Sequence, residues 1–269
     1  MLNINNNIQL LDFLVEQELE VFSPEQLKAH FGEIETKVYM QLETMVRQGW
    51  LTKLKKGLYA RNPMQQRGQD YLPNWHKVAK GLMQERPYYI AFYSALQMHE
   101  LITQPALKEY IISPVRVNPK VQILQNVSFE IIYFKWDRFF GHKEIWVDDH
   151  VKAYCSGLEK TIIDCLLMPQ YAGGYEGIVK ALEKARHKIK PNVLIEYVIR
   201  MKVQAITKRL GYVLDKLGMY PTERDILHGM ISESYTKLDP SLDLKGKYNR
   251  KWRIEDNVDL EDIIQTTNS

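Results

Sequence analysis

Cysteine is scarce, with Cys155 and Cys165 the only two in 269 residues. Two cysteines build no disulfide framework, and Cys165 sits in an apolar run as a small hydrophobe, so a reducing compartment suits the chain. Apolar runs are short, none approaching the roughly eighteen residues of a membrane span. Met1 to Ile8 is asparagine-rich, with no basic n-region and no apolar h-region, and does not read as a signal peptide. These readings together predict a cytoplasmic protein with no membrane partner. The seven histidines, at positions 30, 76, 99, 142, 150, 187 and 228, form no i, i+4 pair, and the cysteines lack zinc spacing. No metal site and no cofactor is expected. Gly173-Gly174-Tyr175-Glu176-Gly177 lacks the lysine and preceding strand of a phosphate-binding loop and reads as a turn before a helix. Asp148-Asp149 and Asp243 belong to no nucleotidyl-transfer motif. With no catalytic constellation in view, the chain reads as a binding protein and not an enzyme.

Enough apolar residues are present, 45%, for a sizeable core without disulfides or metals. The first sixty residues predict helix, helix, helix, hairpin. Leu10, Leu11, Phe13 and Leu14 have helical spacing over Ile8 to Glu16. Ser23-Pro24-Glu25-Gln26 starts a second helix, with Ser23 as N-cap, Pro24 at N1 and Gln26 completing a capping box; that helix is expected to end at Gly32. A third runs from about Glu35 to a Gly49 C-cap, with Val38, Leu42, Met45 and Val46 on one face. Trp50 to Leu54, the turn Lys55-Lys56-Gly57 and Leu58 to Arg61 complete a basic hairpin. This order predicts an N-terminal winged helix-turn-helix over 1–62.

Asn62 to Trp75, with two prolines, a glycine and several glutamines, predicts a linker, placed over 63–84 as a whole. A larger mixed domain is expected over 85–269, giving an α+β chain that ends in helices. Its expected elements are a helix over Ile90 to Leu101 and strands over Glu109 to Val117, Val127 to Lys135 and Glu144 to Asp149. Helices follow over Leu158 to Met168, Glu176 to Lys188 and Val193 to Leu217, the last with a weak point near Gly211. Trp252-Arg253-Ile254 reads as an edge strand before an acidic stretch.

Charge is segregated in the first domain. Residues 1–43 carry eight acids and two bases, whereas residues 44–67 carry six bases and no acid. Phosphate contacts made by lysine and arginine supply most non-specific affinity for nucleic acid. With the apolar face of the third helix turned inward, Thr36, Lys37, Met40, Gln41 and Thr44 face out and can reach base edges. Arg47, Lys53, Lys55, Lys56 and Arg61 would hold phosphates, which position rather than specify. The expected partner is double-stranded DNA.

A second basic stretch, 180–216, holds ten bases and three acids. It reads first as the solvated faces of two helices. The alternative is a secondary basic surface at Lys184, Arg186, Lys188, Lys190, Lys208 and Arg209. The stretch 255–262 carries five acids and no base, and either folds back on that patch or stays a disordered tail. Asp164, within the apolar run Ile162 to Leu167, needs a partner. Lys160, the amides near Gly173-Gly174 and a distant arginine are the candidates, and the role reads as structural.

Several of these segments, taken together, resemble the AbiEi-type antitoxins, transcriptional regulators encoded beside nucleotidyltransferase toxins. The resemblance rests on Gly49-Trp50-Leu51 with Lys56-Gly57-Leu58-Tyr59 and on Tyr93-Ser94-Ala95-Leu96. It also rests on Glu159-Lys160-Thr161-Ile162-Ile163-Asp164-Cys165-Leu166 with Pro169, on Tyr171-Ala172-Gly173-Gly174, and on Arg209-Leu210-Gly211-Tyr212-Val213-Leu214. It implies a winged helix binding inverted repeats in its own promoter. It also implies a larger domain that neutralises the toxin and supports paired binding of protomers, in a phage-resistance setting. Glu100 departs from it, standing where a glycine is expected. The competing expectation is a winged-helix regulator of other genes whose second domain senses a ligand or binds a protein.

Overall fold

The computed structural model describes residues 7–31, 35–69 and 71–267. Helix α1 (Asn7–Glu16) is followed by β1 (Val21–Phe22), α2 (Pro24–Phe31), α3 (Glu35–Arg47), β2 (Leu51–Lys55) and β3 (Leu58–Arg61). The Ser23 amide donates to Gln26 Oε1 at 2.8 Å, which is the capping-box bond that fixes the start of α2. The expected end of α2 at Gly32 lies outside the described residues. Gly49 takes φ +74°, and the Trp50 amide reaches back to Met45 O at 3.0 Å, so the chain leaves α3 sharply into β2. The strands pair antiparallel in the order β1-β3-β2. Leu10, Leu14, Phe22, Leu27, Val38, Leu42 and Met45 are buried between helices and sheet.

Residues 63–84, expected as a linker, hold α4 (Trp75–Met83). Asn74 caps it by accepting from the His76 amide at 2.9 Å, and Val78, Ala79, Leu82 and Met83 are buried. The glutamine-rich stretch before it hid an amphipathic helix that docks on both units.

The second unit is built on a six-stranded sheet. After β4 (Tyr89–Ile90) and α5 (Phe92–Met98) come β5 (Lys108–Ser113), β6 (Val121–Leu124), β7 (Val127–Tyr133), β8 (His142–Trp146) and β9 (Lys152–Ser156). The order is β6-β7-β5-β4-β9-β8, with β5–β7 and β4–β9 parallel and the other pairs antiparallel. The three expected strands are present, with shifted ends; β5 stops at Ser113 because Pro114 offers no amide for the ladder. The strands β4, β6 and β9 were not foreseen.

One face of this sheet meets β2, β3 and α4, and the other meets the helices. These are α6 (Leu158–Leu167), α7 (Gly174–Ala185), α8 (Pro191–Met201), α9 (Gln204–Lys216) and α10 (Pro221–Gly229). A small sheet of β10 (Thr236–Lys237), β11 (Lys247–Asn249) and β12 (Ile254–Asp256), in the order β10-β12-β11, and helix α11 (Leu260–Thr267) complete the chain. The architecture is α+β. No helix among the described residues is long and apolar enough to cross a membrane.

The single long helix expected over Val193 to Leu217 is two. Lys202 adopts φ +53° and breaks the chain between α8 and α9. Gly211 is no weak point: a Cβ there would lie 2.0 Å from the Trp252 ring, so glycine makes the seat into which that buried indole packs. Trp252 therefore anchors the small sheet, and β12 is its middle strand, not an edge. The acidic stretch folds back. Asp256 accepts from Tyr212 at 2.8 Å, and Glu261 pairs with Lys216.

Asp164 finds Lys160. Both side chains are fully buried; Lys160 Nζ bonds the carboxylate, and Tyr89 donates to Asp164 Oδ2 at 3.1 Å. Burial pushes the Asp164 carboxyl up and the Lys160 ammonium down, each opposed by the charge of the other. Removing one member strands the other, so Asp164→Ala should destabilise by about 3–5 kcal/mol in denaturant titration. Lys160→Met with Asp164→Leu should cost much less. Equal losses in the two variants would remove the ion pair as the reason.

Glu100 closes α5 in a left-handed conformation, φ +58°, while the Leu101 amide reaches Leu96 O at 2.9 Å. That 6→1 closure favours glycine at the turning residue. The exposed Glu100→Gly should raise the melting temperature, corresponding to a gain of about 1 kcal/mol. A lower value would mean that the glutamate side chain holds the turn.

Candidate nucleic-acid interface

The side chains expected to face outward from α3 divide into two groups. Thr36, Lys37 and Arg47 are exposed, and Met40 is 70% exposed. Thr44 is half-buried and bonds Met40 O at 2.9 Å, with Arg47 Nη2 3.3 Å from its hydroxyl. Gln41 does not stand free: its amide donates to Asn7 Oδ1 at the start of α1, and Asn7 in turn donates to Gln48 at 2.6 Å. The exposed face of α3 is therefore Thr36, Lys37, Met40 and Arg47, with Thr44 half-buried beside it.

The hairpin cations are disposed differently from one another. Lys53 is paired with Glu43 of α3 at 2.5 Å; the hydrogen bond to Glu43 holds its pKa above the ordinary lysine value, and the Glu43 carboxyl is held down in return. Its charge is locally cancelled. Lys55 is half-buried and donates to Gln122 of β6 at 2.5 Å, so the hairpin tip rests on the second unit. Burial, with the nearby Arg86 charge, lowers the Lys55 pKa. Lys56 is exposed at the turn. Arg67 stacks 3.6 Å above the Trp50 ring at the base of the hairpin.

Arg61 belongs elsewhere. It lines a cleft of about 280 Å³ with Glu18, Glu20, Lys77 and His150, and its buried Nε has no hydrogen-bond partner among the described residues. A neighbouring cleft of about 450 Å³ shares Glu18, Glu20, Lys77 and His150 and adds Lys80, Gln84 and Glu85. Here the units are joined by opposite charges: Lys77 bonds Glu20 and lies 2.5 Å from Asp148, and Tyr71 donates to Glu20 at 2.5 Å. Arg61, the last residue of β3, lines the cleft together with Glu18 and Glu20.

The secondary basic surface is corrected in part. Lys184, Lys188 and Lys190 are exposed, and Arg186 is half-buried, donating to Leu217 O at 3.2 Å. Lys208 and Arg209 are no surface at all. Lys208 is fully buried, with Nζ 2.9 Å from Ser232 Oγ and 3.2 Å from Ser234 Oγ. Arg209 Nη1 donates to Leu166 O at 2.8 Å and Leu167 O at 3.2 Å, and Nη2 donates to Lys237 O at 3.1 Å. Helix α9 is packed on several sides, so Arg209 turns inward to carbonyls at the end of α6 while Lys208 turns to Ser232 and Ser234.

The structure is similar to the crystal structure of the RV2827C protein from Mycobacterium tuberculosis. The TM-score is 0.69 at 15% sequence identity, over 97% of this chain and 94% of that one. At that identity the likeness bears on the fold. No family model and no curated protein sequence matches the chain.

Burial raises the Asp148 carboxyl, but bonds from Lys77 and from the His150 and Val151 amides outweigh it and hold the pKa at about 2. A carboxylate held low stabilises the fold fully above its ordinary value near 4, and that contribution drains as pH falls toward 2. Lys77→Met should therefore flatten the fall of melting temperature between about pH 4 and pH 2. An unchanged acid limb would show that Lys77 does not hold the cleft together.

Proposed function

We propose that the chain is a DNA-binding antitoxin that represses its own promoter, acting in the cytoplasm by binding and not by catalysis. The N-terminal unit works as a winged helix: α3 enters the major groove and the hairpin follows the backbone. The observation that carries this reading is the open face of α3, with Thr36, Lys37, Met40 and Arg47 presented beside the exposed Lys56. The antitoxin half rests on the resemblance of the α6, α7 and α9 segments to the AbiEi-type family, whose larger domain would neutralise a nucleotidyltransferase toxin and pair protomers on inverted repeats.

Two measurements test it. The whole chain should retard a fragment of its own promoter, and Met40→Glu should abolish that retention with an unchanged melting temperature, since the side chain is 70% exposed. Co-expression should protect cells from a nucleotidyltransferase toxin of the kind encoded beside AbiEi-type antitoxins. Absence of both retention and protection would end the proposal. A second reading, a regulator whose ligand enters the inter-unit cleft of about 450 Å³, is favoured by the mixed charges that line it. Retention without protection would support that reading.

A further inference from the structure

The hairpin tip does not end the positive surface. The antiparallel ladder pairs Val121 with Glu130 and Gln122 with Phe129, and the Ile131 amide donates to Lys120 O at 2.7 Å. Lys120 therefore opposes Ile131. Directly opposed residues share a face, and alternate residues along a strand do too. Lys120, Gln122 and Leu124 thus form one row with Ile131 and Phe129, on the face where Leu54 and Leu58 of the hairpin pack. Leu124 is buried under the hairpin, Gln122 holds Lys55, and Lys120 extends about 7 Å beyond it along the strand. Tyr133, two residues past Ile131, stays on this face, and the Arg116 guanidinium lies 4.4 Å from its ring.

Three segments therefore bring cations to one place: the hairpin with Lys55 and Lys56, the connection before β4 with Arg86, and the β5–β6 connection with Arg116 and Lys120. The acids of these segments point away. Glu130 opposes Val121 on the other face and lies 3.8 Å from Lys108, while Glu85 lines the inter-unit cleft. Residues 110–129 contain no acid at all. None of the five cations enters an ion pair among the described residues. The half-buried Lys55, its pKa lowered by burial and by Arg86, bonds the neutral Gln122 and no carboxylate among the described residues.

We infer that the hairpin tip and this edge of the large sheet form one continuous surface for the sugar-phosphate backbone of duplex DNA, with Arg116 and Lys120 contacting phosphates. The inference rests on the proposed winged-helix reading and extends it to the second unit. Because the hairpin is packed on the sheet, the two sets of cations are held at a fixed spacing before DNA arrives, and less ordering is needed on binding. Phosphate contacts carry no base information, so the contribution is to affinity on every sequence.

The test uses the whole chain and a mixed-sequence duplex, with binding followed by fluorescence anisotropy across a salt series. Loss of two phosphate contacts lowers the slope of log K against log salt by about 1.8. For Arg116→Gln with Lys120→Gln, the affinity lost between about 50 and 200 mM salt should thus be about twelve-fold smaller than for the wild type. The charge-keeping pair Arg116→Lys with Lys120→Arg should restore the wild-type slope, which a variant that misfolds or merely loses the Tyr133 contact would not explain. A wild-type slope in the Gln pair, with Lys56→Gln still flattened, would overturn the extension and leave the winged-helix reading standing. Failure of the wild-type chain to bind the duplex at low salt would overturn both.

Discussion

Everything else in this molecule depends on the core that the hairpin shares with the large sheet. Leu54, Leu58 and Ala60 of the hairpin pack with Val78, Ala79 and Leu82 of α4 against Ile90, Ile111, Phe129 and Cys155. A buried leucine is worth about 1.5–3 kcal/mol relative to an exposed one, so Leu54 and Leu58 alone fix the hairpin by several kcal/mol. That constraint removes the freedom usually granted to a hairpin at the edge of a small domain. It also explains why the segment before the large sheet is a helix and not a tether: α4 fills the angle between the two sheets, and Gly81 lets Val21 of β1 come close.

On the far face of the large sheet the problem is how to bury cations. Three solutions appear. Lys160 has a carboxylate and a phenol. Lys208 has serine hydroxyls and a carbonyl, with no acid bonded to it. Arg209 has three carbonyls and ties the end of α6 to β10. Burying an ion pair seldom gains stability over apolar residues of the same shape, but an unmatched partner is costly, so such groups penalise every packing except the one that satisfies them. Here they set how α6 and α9 lie against each other and against the small sheet.

What could be read from the sequence follows from how local each signal is. The start of α2, the turn at Gly49 and the buried row of α3 depend on residues within one or two turns, and all are present. The exposed face of α3 follows directly from that row. Strands β4, β6 and β9 span two to five residues and draw their stability from neighbours distant in sequence, so no periodicity marked them. The break at Lys202 is a left-handed turn at a residue with no preference for it. Gly211 looked like a helix weakness because its partner, Trp252, lies 41 positions away. Lys208 and Arg209 looked like surface because charge is a poor guide wherever backbone carbonyls need donors. Gln41 is held by Asn7, 34 positions away, a contact that the local pattern does not contain.

The charge asymmetry of the N-terminal unit acquires a physical meaning in this frame. Its acids meet partners across the cleft, Glu20 the Lys77 ammonium and Glu18 the His150 ring at 3.6 Å. At the other end its hairpin cations lie near further cations, and the charge of Arg86 adds to burial in lowering the Lys55 pKa. Two exposed like charges about 7 Å apart repel by about 0.6 kcal/mol in water, and more where solvent is partly excluded. The hydrophobic contacts of Leu54 and Leu58 exceed that several-fold, so the arrangement persists although its electrostatics are unfavourable. A polyanion laid across the row would turn that repulsion into attraction, and the free energy held in the clustered cations would then add to binding. The same shared core that denies the hairpin its mobility therefore keeps the cations together while no anion is present.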